Sequence, residues 1–289
     1  RSVGLFEPLL DLTRETIDAA GIDRPFLRIA GVCGDVHEAV QETEIAARLG
    51  YQAVLLGPPA SSHLDEQDLL LRAKAIGEVL PVIGFYLQEA VGGRYLSTQF
   101  WRQLADLPCV VGVKIAPFDR YRTLEAVRGV ASADRGSAVA LYTGNDDTIV
   151  PDLLTPLDVS VGDRVVRRRM VGGLLGQWAV WTRQAVELLE RTRRAWDGDH
   201  ALLRKTLDEG NRLTEANAAI FDAANGFAGC IAGVHEVLRR QGLLAGTWCL
   251  DPDETLSPGQ QAEIERVYRA YPELTDDAFV EEHLDEWLS

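Results

Sequence analysis

The first half of this 289-residue chain alternates short apolar runs with amphipathic stretches, and that alternation limits the fold more than any other feature. An apolar, β-branched run of about five residues followed by about a dozen with helical periodicity is a βα unit; several in succession build a parallel sheet covered by helices. Strand patterns fall at residues 26–32, 53–56, 82–87, 110–114, 138–142 and 170–174. Helical patterns fall at 5–19, 35–49, 65–79, 97–104, 121–130 and briefly after Asp147. Beyond about residue 178 only helical patterns remain, at 182–196, 201–210, 213–224, 230–241, 258–271 and 276–288. The expected organisation is therefore a barrel-type α/β region over 1–181 and a helical region over 182–289. Glycine-rich or polar stretches follow several strands, and in a (β/α)8 barrel such loops build the active site. The rival is an open doubly wound sheet; no GxGxxG follows a strand, which weakens its dinucleotide-binding version.

Composition narrows the function classes. A net charge of -15 supplies no basic stripe for a phosphate backbone, so nucleic acid is not an expected partner. No apolar run reaches the roughly 20 residues of a membrane helix, and a cytoplasmic location is expected. Cys33, Cys109, Cys230 and Cys249 are dispersed without CxxC or zinc spacing, which reads as buried thiols and no metal site. The five histidines form no triad or ligand pattern; Asp35, Asp146 and Asp147 lack the histidines a barrel metal site would need.

Against this background one residue is out of place. Lys114 interrupts Val110-Val111-Gly112-Val113-Lys114-Ile115-Ala116, a run with the character of a buried parallel strand. Only Lys74 and Lys205 accompany it in a chain that otherwise uses arginine, and both fall on polar helical faces. Burial favours the neutral amine, the form that condenses with a carbonyl. A strand-end lysine that snorkels to solvent, or one matched to a structural carboxylate, is the bland alternative.

The strand ending V-G-V-K, the preceding P-V-I-G-F-Y and the following Y-T-G-N-D-D, in that order, resemble the dihydrodipicolinate synthase and N-acetylneuraminate lyase family of class I aldolases. The resemblance runs over about 24–193 and is strongest at 81–147. It implies a (β/α)8 barrel, with Lys114 as the Schiff-base lysine for pyruvate or another 2-oxo acid and with no cofactor. It also implies that Gly144 lies by the bound oxo acid and that Arg94 binds a substrate carboxylate; Phe85, Asn145 and Gly172 complete the expected substrate-binding set. The family's relay tyrosine matches Phe85 in an ungapped comparison and Tyr86 one residue later. Alternate side chains of a strand face opposite ways, so one of the two points inward. Gly84 on the face of Tyr86 would leave room there, and Tyr86 is the expected catalytic hydroxyl, with Tyr142 as the other candidate.

Two departures accompany the resemblance. The loop at 58–62 has no tyrosine, and too few strand patterns precede Lys114, so the first two barrel strands are expected to be missing from this chain. The helical tail, including Gly246-Thr247-Trp248-Cys249-Leu250-Asp251-Pro252, lies outside the family pattern. The expected activity is aldol addition, retro-aldol cleavage or dehydration of a 2-oxo acid in sugar-acid or related carbon metabolism, by a homo-oligomer (dimer or tetramer). The alternative is a non-catalytic paralogue that kept the barrel and lost its acid/base groups.

Overall fold

The computed structural model describes residues 3–59 and 64–289. The loop read at 58–62 and His63 therefore lie largely outside the described residues. The chain forms two compact units, Arg1–Tyr142 with Leu157–Arg168, and Thr143–Pro156 with Arg169–Ser289. The expected boundary at 181/182 sorts the sequence by element type, whereas these units group residues by contact.

The first unit realises the βα repeat. Its elements are α1 (Phe6–Ala19), β1 (Ile29–Val32), α2 (Val36–Arg48), β2 (Ala53–Leu56), α3 (Glu66–Gly77), β3 (Val82–Leu87), α4 (Thr98–Asp106), β4 (Val110–Ala116), α5 (Arg120–Ser132) and β5 (Ala140–Thr143). The strands lie in chain order in one sheet, and β1 through β4 pair in parallel. Helix starts follow from local chemistry. Asp35, Asp65, Ser97 and Asp119 each accept the backbone N–H three residues on, satisfying a donor that the first helical turn leaves free.

The two faces of this sheet differ. Ala30, Val32, Val54, Leu56, Val82, Tyr86, Val113 and Ile115 are buried beneath the helices. On the other face Leu55, Phe85, Lys114 and Tyr142 are only partly covered. Register decides which residues share a face: Phe85 pairs with Lys114 and Tyr86 with Ile115. A bulge shifts the pairing from Val82↔Val110 to Ile83↔Gly112, leaving Val111 as the extra, exposed residue.

A hairpin that the strand patterns did not include, β6 (Leu157–Val161) and β7 (Arg164–Arg168), belongs to the same unit and packs on α5. Leu157 and Val159 are its buried side. Two of its arginines are engaged within the hairpin or its unit. Arg167 makes two hydrogen bonds to Asp158 at 2.7 and 2.8 Å, and Arg168 donates to the carbonyls of Gly136 and Val139. Burial pushes the Arg168 guanidinium below its ordinary pKa.

The second unit contains α6 (Ile149–Leu154), β8 (Gly172–Gly173), α7 (Thr182–Trp196), α8 (His200–Ile220), α9 (Cys230–Arg240), α10 (Gln260–Ala270) and α11 (Asp277–Trp287). Its core joins Val180, Trp181, Ile220, Val237, Ile264 and Val267. The strand pattern at 170–174 shrinks to two glycines, which bring no side chains to pack; beyond them Leu174 N–H donates to the Thr143 carbonyl. The two helices expected at 201–210 and 213–224 are one. Gly210 lies inside α8 because a Cβ there would come within 2.8 Å of Val150, so this glycine permits close packing and does not end the helix.

All four cysteines are thiols, but none is fully buried as expected: Cys33 is exposed and the others are half-buried. Among the described residues no helix is long and apolar enough to cross a membrane.

Candidate active site

Lys114 lies near the C-terminal end of β4 on the less covered face of the sheet, half-buried. Its ammonium sits 4.2 Å from the centroid of the Phe85 ring, a cation–π contact set by the Phe85↔Lys114 register. Lys74 and Lys205 are both exposed.

The register reverses the expectation for Tyr86. Its side chain is 2% exposed and lies against Trp101 of α4, ring centroids 5.0 Å apart, on the face away from Lys114. The space at Gly84 is not left for Tyr86: a Cβ there would meet Leu104 at 2.7 Å, so the glycine admits α4. Burial pushes the Tyr86 phenol up to about 12, the backbone hydrogen bond with Leu96 acting in the opposite direction. This phenol is a packing group.

A pH effect follows. The pKa is higher in the folded chain, so the neutral phenol's contribution is complete below pH of about 10, the unfolded value, and is lost as pH rises toward about 12. Urea denaturation across this range should show stability falling, and falling less steeply in Tyr86→Phe. Equal slopes would contradict burial of the phenol as the cause.

Tyr142 is the hydroxyl on the lysine's face. Gly112 and Lys114 are two apart on β4 and so point the same way, and a Cβ on Gly112 would lie 3.3 Å from the Tyr142 ring. The glycine makes room for the ring.

Arg94 and Phe85 line one cavity of about 50 Å3, with Arg72 and Trp101 also on its wall. Arg94 donates to the Leu64 carbonyl at 2.5 Å. Arg72 had no place in the sequence reading, yet it is 1% exposed and donates to the carbonyls of Gly34 and Gly57, clamping the loops after β1 and β2. An arginine on the apolar stripe of α3 was the available signal.

Gly144, Asn145 and Gly172 belong to the second unit, and all three are buried there. The Asn145 amide donates to Asp152 at 2.9 Å, and Thr143 Oγ1 donates to the same carboxylate oxygen at 2.7 Å. Asp152 is 1% exposed, so this is a buried polar cluster that fixes the turn after β5. The N-cap of α6 is Thr148, which makes no side-chain cap. Asp146 accepts the Gln177 N–H at 2.8 Å. Asp35, considered above as a metal ligand, is the N-cap of α2.

A parallel α/β sheet with a half-buried lysine beside an aromatic ring on its less covered face, followed by C-terminal helices, defines the class. No family model matches the chain. It is 29% identical over 147 residues to a 4-hydroxy-tetrahydrodipicolinate synthase of Marinobacter nauticus, 49% of each chain; it thus spans about half the length of the curated relative it matches. Among solved structures, the chloride-inhibited dihydrodipicolinate synthase of Acinetobacter baumannii complexed with pyruvate is similar at a TM-score of 0.70 and 22% identity, over 91% of this chain and 80% of that one. N-acetylneuraminate lyase of Fusobacterium nucleatum complexed with pyruvate is similar at a TM-score of 0.67 and 16% identity, over 92% and 78%. Half of the chain in sequence, and its fold, are similar to proteins of the dihydrodipicolinate synthase and N-acetylneuraminate lyase family.

Proposed function

We propose that the protein is a class I aldolase or lyase that holds pyruvate or another 2-oxo acid as a Schiff base on Lys114, on a sheet that forms part of a (β/α)8 barrel. The observation that carries this reading is the placement of Lys114 on the less covered face of β4, beside the Phe85 ring at 4.2 Å. Pyruvate in the Acinetobacter and Fusobacterium structures supports the choice of substrate class.

The neutral Lys114 amine attacks C2 of the oxo acid, and the ketone oxygen leaves as water after taking up two protons. The iminium draws electrons from C3, whose proton departs to a base, leaving an enamine. Carbon–carbon bond formation, cleavage or dehydration can then proceed. The Phe85 ring favours the charged iminium through its π face, as it does the ammonium. Tyr142 moves the protons, and Arg94 takes a carboxylate.

Borohydride reduction in the presence of pyruvate, followed by peptide mass spectrometry, tests the reading: a reduced pyruvyl adduct on Lys114 is expected. An adduct confined to other lysines, or none, rejects it. A non-catalytic relative is the second reading, favoured by the phenyl ring of Phe85, which supplies no hydroxyl beside Lys114. That reading predicts trapping without exchange or turnover.

A further inference from the structure

The chain between β3 and α4, residues 88–97, carries Arg94 and is fixed on both sides of it. Ahead of Arg94, the Gly93 N–H donates to the Gln88 carbonyl at 2.9 Å, and the backbone passes so close to the Leu87 carbonyl that a Cβ on Gly93 would overlap it. Beyond Arg94 the hold comes from Glu66, the first residue of α3, whose carboxylate takes both donors of Ser97. The Ser97 backbone N–H donates to Oε1 at 2.6 Å and its hydroxyl to Oε2 at 2.7 Å. Ser97 Oγ also accepts the Phe100 N–H at 3.1 Å as the N-cap of α4, so one side chain joins the starts of two helices.

The Arg94 head is tied to the same stretch. Its Nη1 donates to the carbonyl of Leu64, two residues before Glu66. The Nε–Nη2 edge makes no hydrogen bond among the described residues, and no described carboxylate, Glu66 included, lies within ion-pair distance of the guanidinium. Two parallel donors on a fixed plane match a carboxylate, and a guanidinium already held loses less side-chain freedom when a ligand arrives.

We infer that Glu66 is a positioning residue: through Ser97 it fixes the segment that presents the Nε–Nη2 edge of Arg94 to a substrate carboxylate. The inference rests on the carboxylate role given to Arg94 above and assigns the holding of that group to a residue of another helix. Charge and position predict opposite effects at Glu66. Removing a nearby negative charge by itself tightens anion binding, whereas releasing Ser97 lets Arg94 drift and weakens it.

The test is ligand-observed NMR on the full chain, with propionate titrated as the carboxylate and propionamide as its neutral counterpart. Propionate is expected to bind saturably and tighter than propionamide, and Arg94→Gln to weaken it at least tenfold. Glu66→Ala should weaken it at least fivefold, against the direction of the charge change, and should add less than twofold to the loss in the Arg94→Gln background. Glu66→Gln keeps an acceptor for the Ser97 N–H and should lie closer to the unaltered chain than Glu66→Ala. Circular dichroism establishes that each variant is folded. If Glu66→Ala is not, Ser97→Gly decides: it keeps a favourable N-cap residue and loses the hydroxyl arm, a loss of at least threefold is expected, and none overturns the inference. Unchanged or tighter binding in folded Glu66→Ala, or an equal further loss with Arg94 already replaced, overturns the inference alone. Propionate binding that is absent or independent of Arg94 overturns the carboxylate role and the inference with it, while borohydride trapping at Lys114 reports on the Schiff base separately.

Discussion

Lys114→Ala is expected to abolish the borohydride-trapped pyruvate adduct and to lower any 2-oxo acid turnover by on the order of 10³-fold or more, the scale seen when a covalent nucleophile is removed. The variant should still fold. Lys114 is half-buried on the less covered sheet face, and its removal opens no cavity among the residues packed beneath the helices. Lys114→Arg sharpens the result. A guanidinium preserves the positive charge and can stack on Phe85, but it stays protonated and cannot condense with a ketone. If the lysine serves as an amine, both variants lose the adduct. If its role is only to place a cation over Phe85, Lys114→Arg retains function. Lys74→Ala, at an exposed position on α3, serves as the control and should trap pyruvate at Lys114 as before. A Lys114→Arg variant with undiminished turnover would sink the Schiff-base mechanism.

The βα repeat and the lysine were legible because each rests on a local pattern. Apolar runs and capping residues mark β1 through β5 and the helices between them, and Lys114 declares itself by being charged inside such a run. The orientation of Phe85 and Tyr86 was not legible in the same way. Strand parity says that they oppose each other, but which one faces the lysine depends on the register with β4, and a bulge at Val111 resets that register. Gly84 pointed to free space on the face of Tyr86; Leu104 fills it from α4, a contact that sequence spacing does not reveal. Gly210 misled for a similar reason, because the close approach of Val150 that requires it is tertiary. The β6–β7 hairpin was within reach. Leu157-Asp158-Val159-Ser160-Val161 alternates apolar and polar residues up to Gly162-Asp163, a turn signal, but the arginines at 164, 167 and 168 obscure the apolar alternation of the second strand.

These placements make a contrast between two tyrosines the sharpest test of the chemistry. In deuterated water, enamine formation replaces the C3 protons of pyruvate with deuterium, so NMR of the methyl signal follows proton transfer without knowledge of an aldehyde partner. Tyr142→Phe is expected to slow this exchange by about 10²- to 10⁴-fold, the usual range for losing a positioned acid or base, while leaving borohydride trapping at Lys114 in place. Trapping needs the amine; exchange also needs a group to carry the C3 proton. Tyr86→Phe should change exchange by less than a few-fold, because that phenol lies against Trp101 beneath α4 and is held neutral by burial. Circular dichroism and denaturation separate a lost proton carrier from a disturbed fold, and Tyr142→Phe keeps the ring that Gly112 accommodates. The reverse pattern, with exchange surviving Tyr142→Phe and failing in Tyr86→Phe, would mean that the reacting face is not the face that carries Lys114. Fast exchange in both variants would assign the proton to water or to a group other than either tyrosine. An unaltered chain that traps pyruvate yet shows no exchange would instead favour the non-catalytic reading, in which Phe85 beside Lys114 marks a retained binding site without a proton carrier.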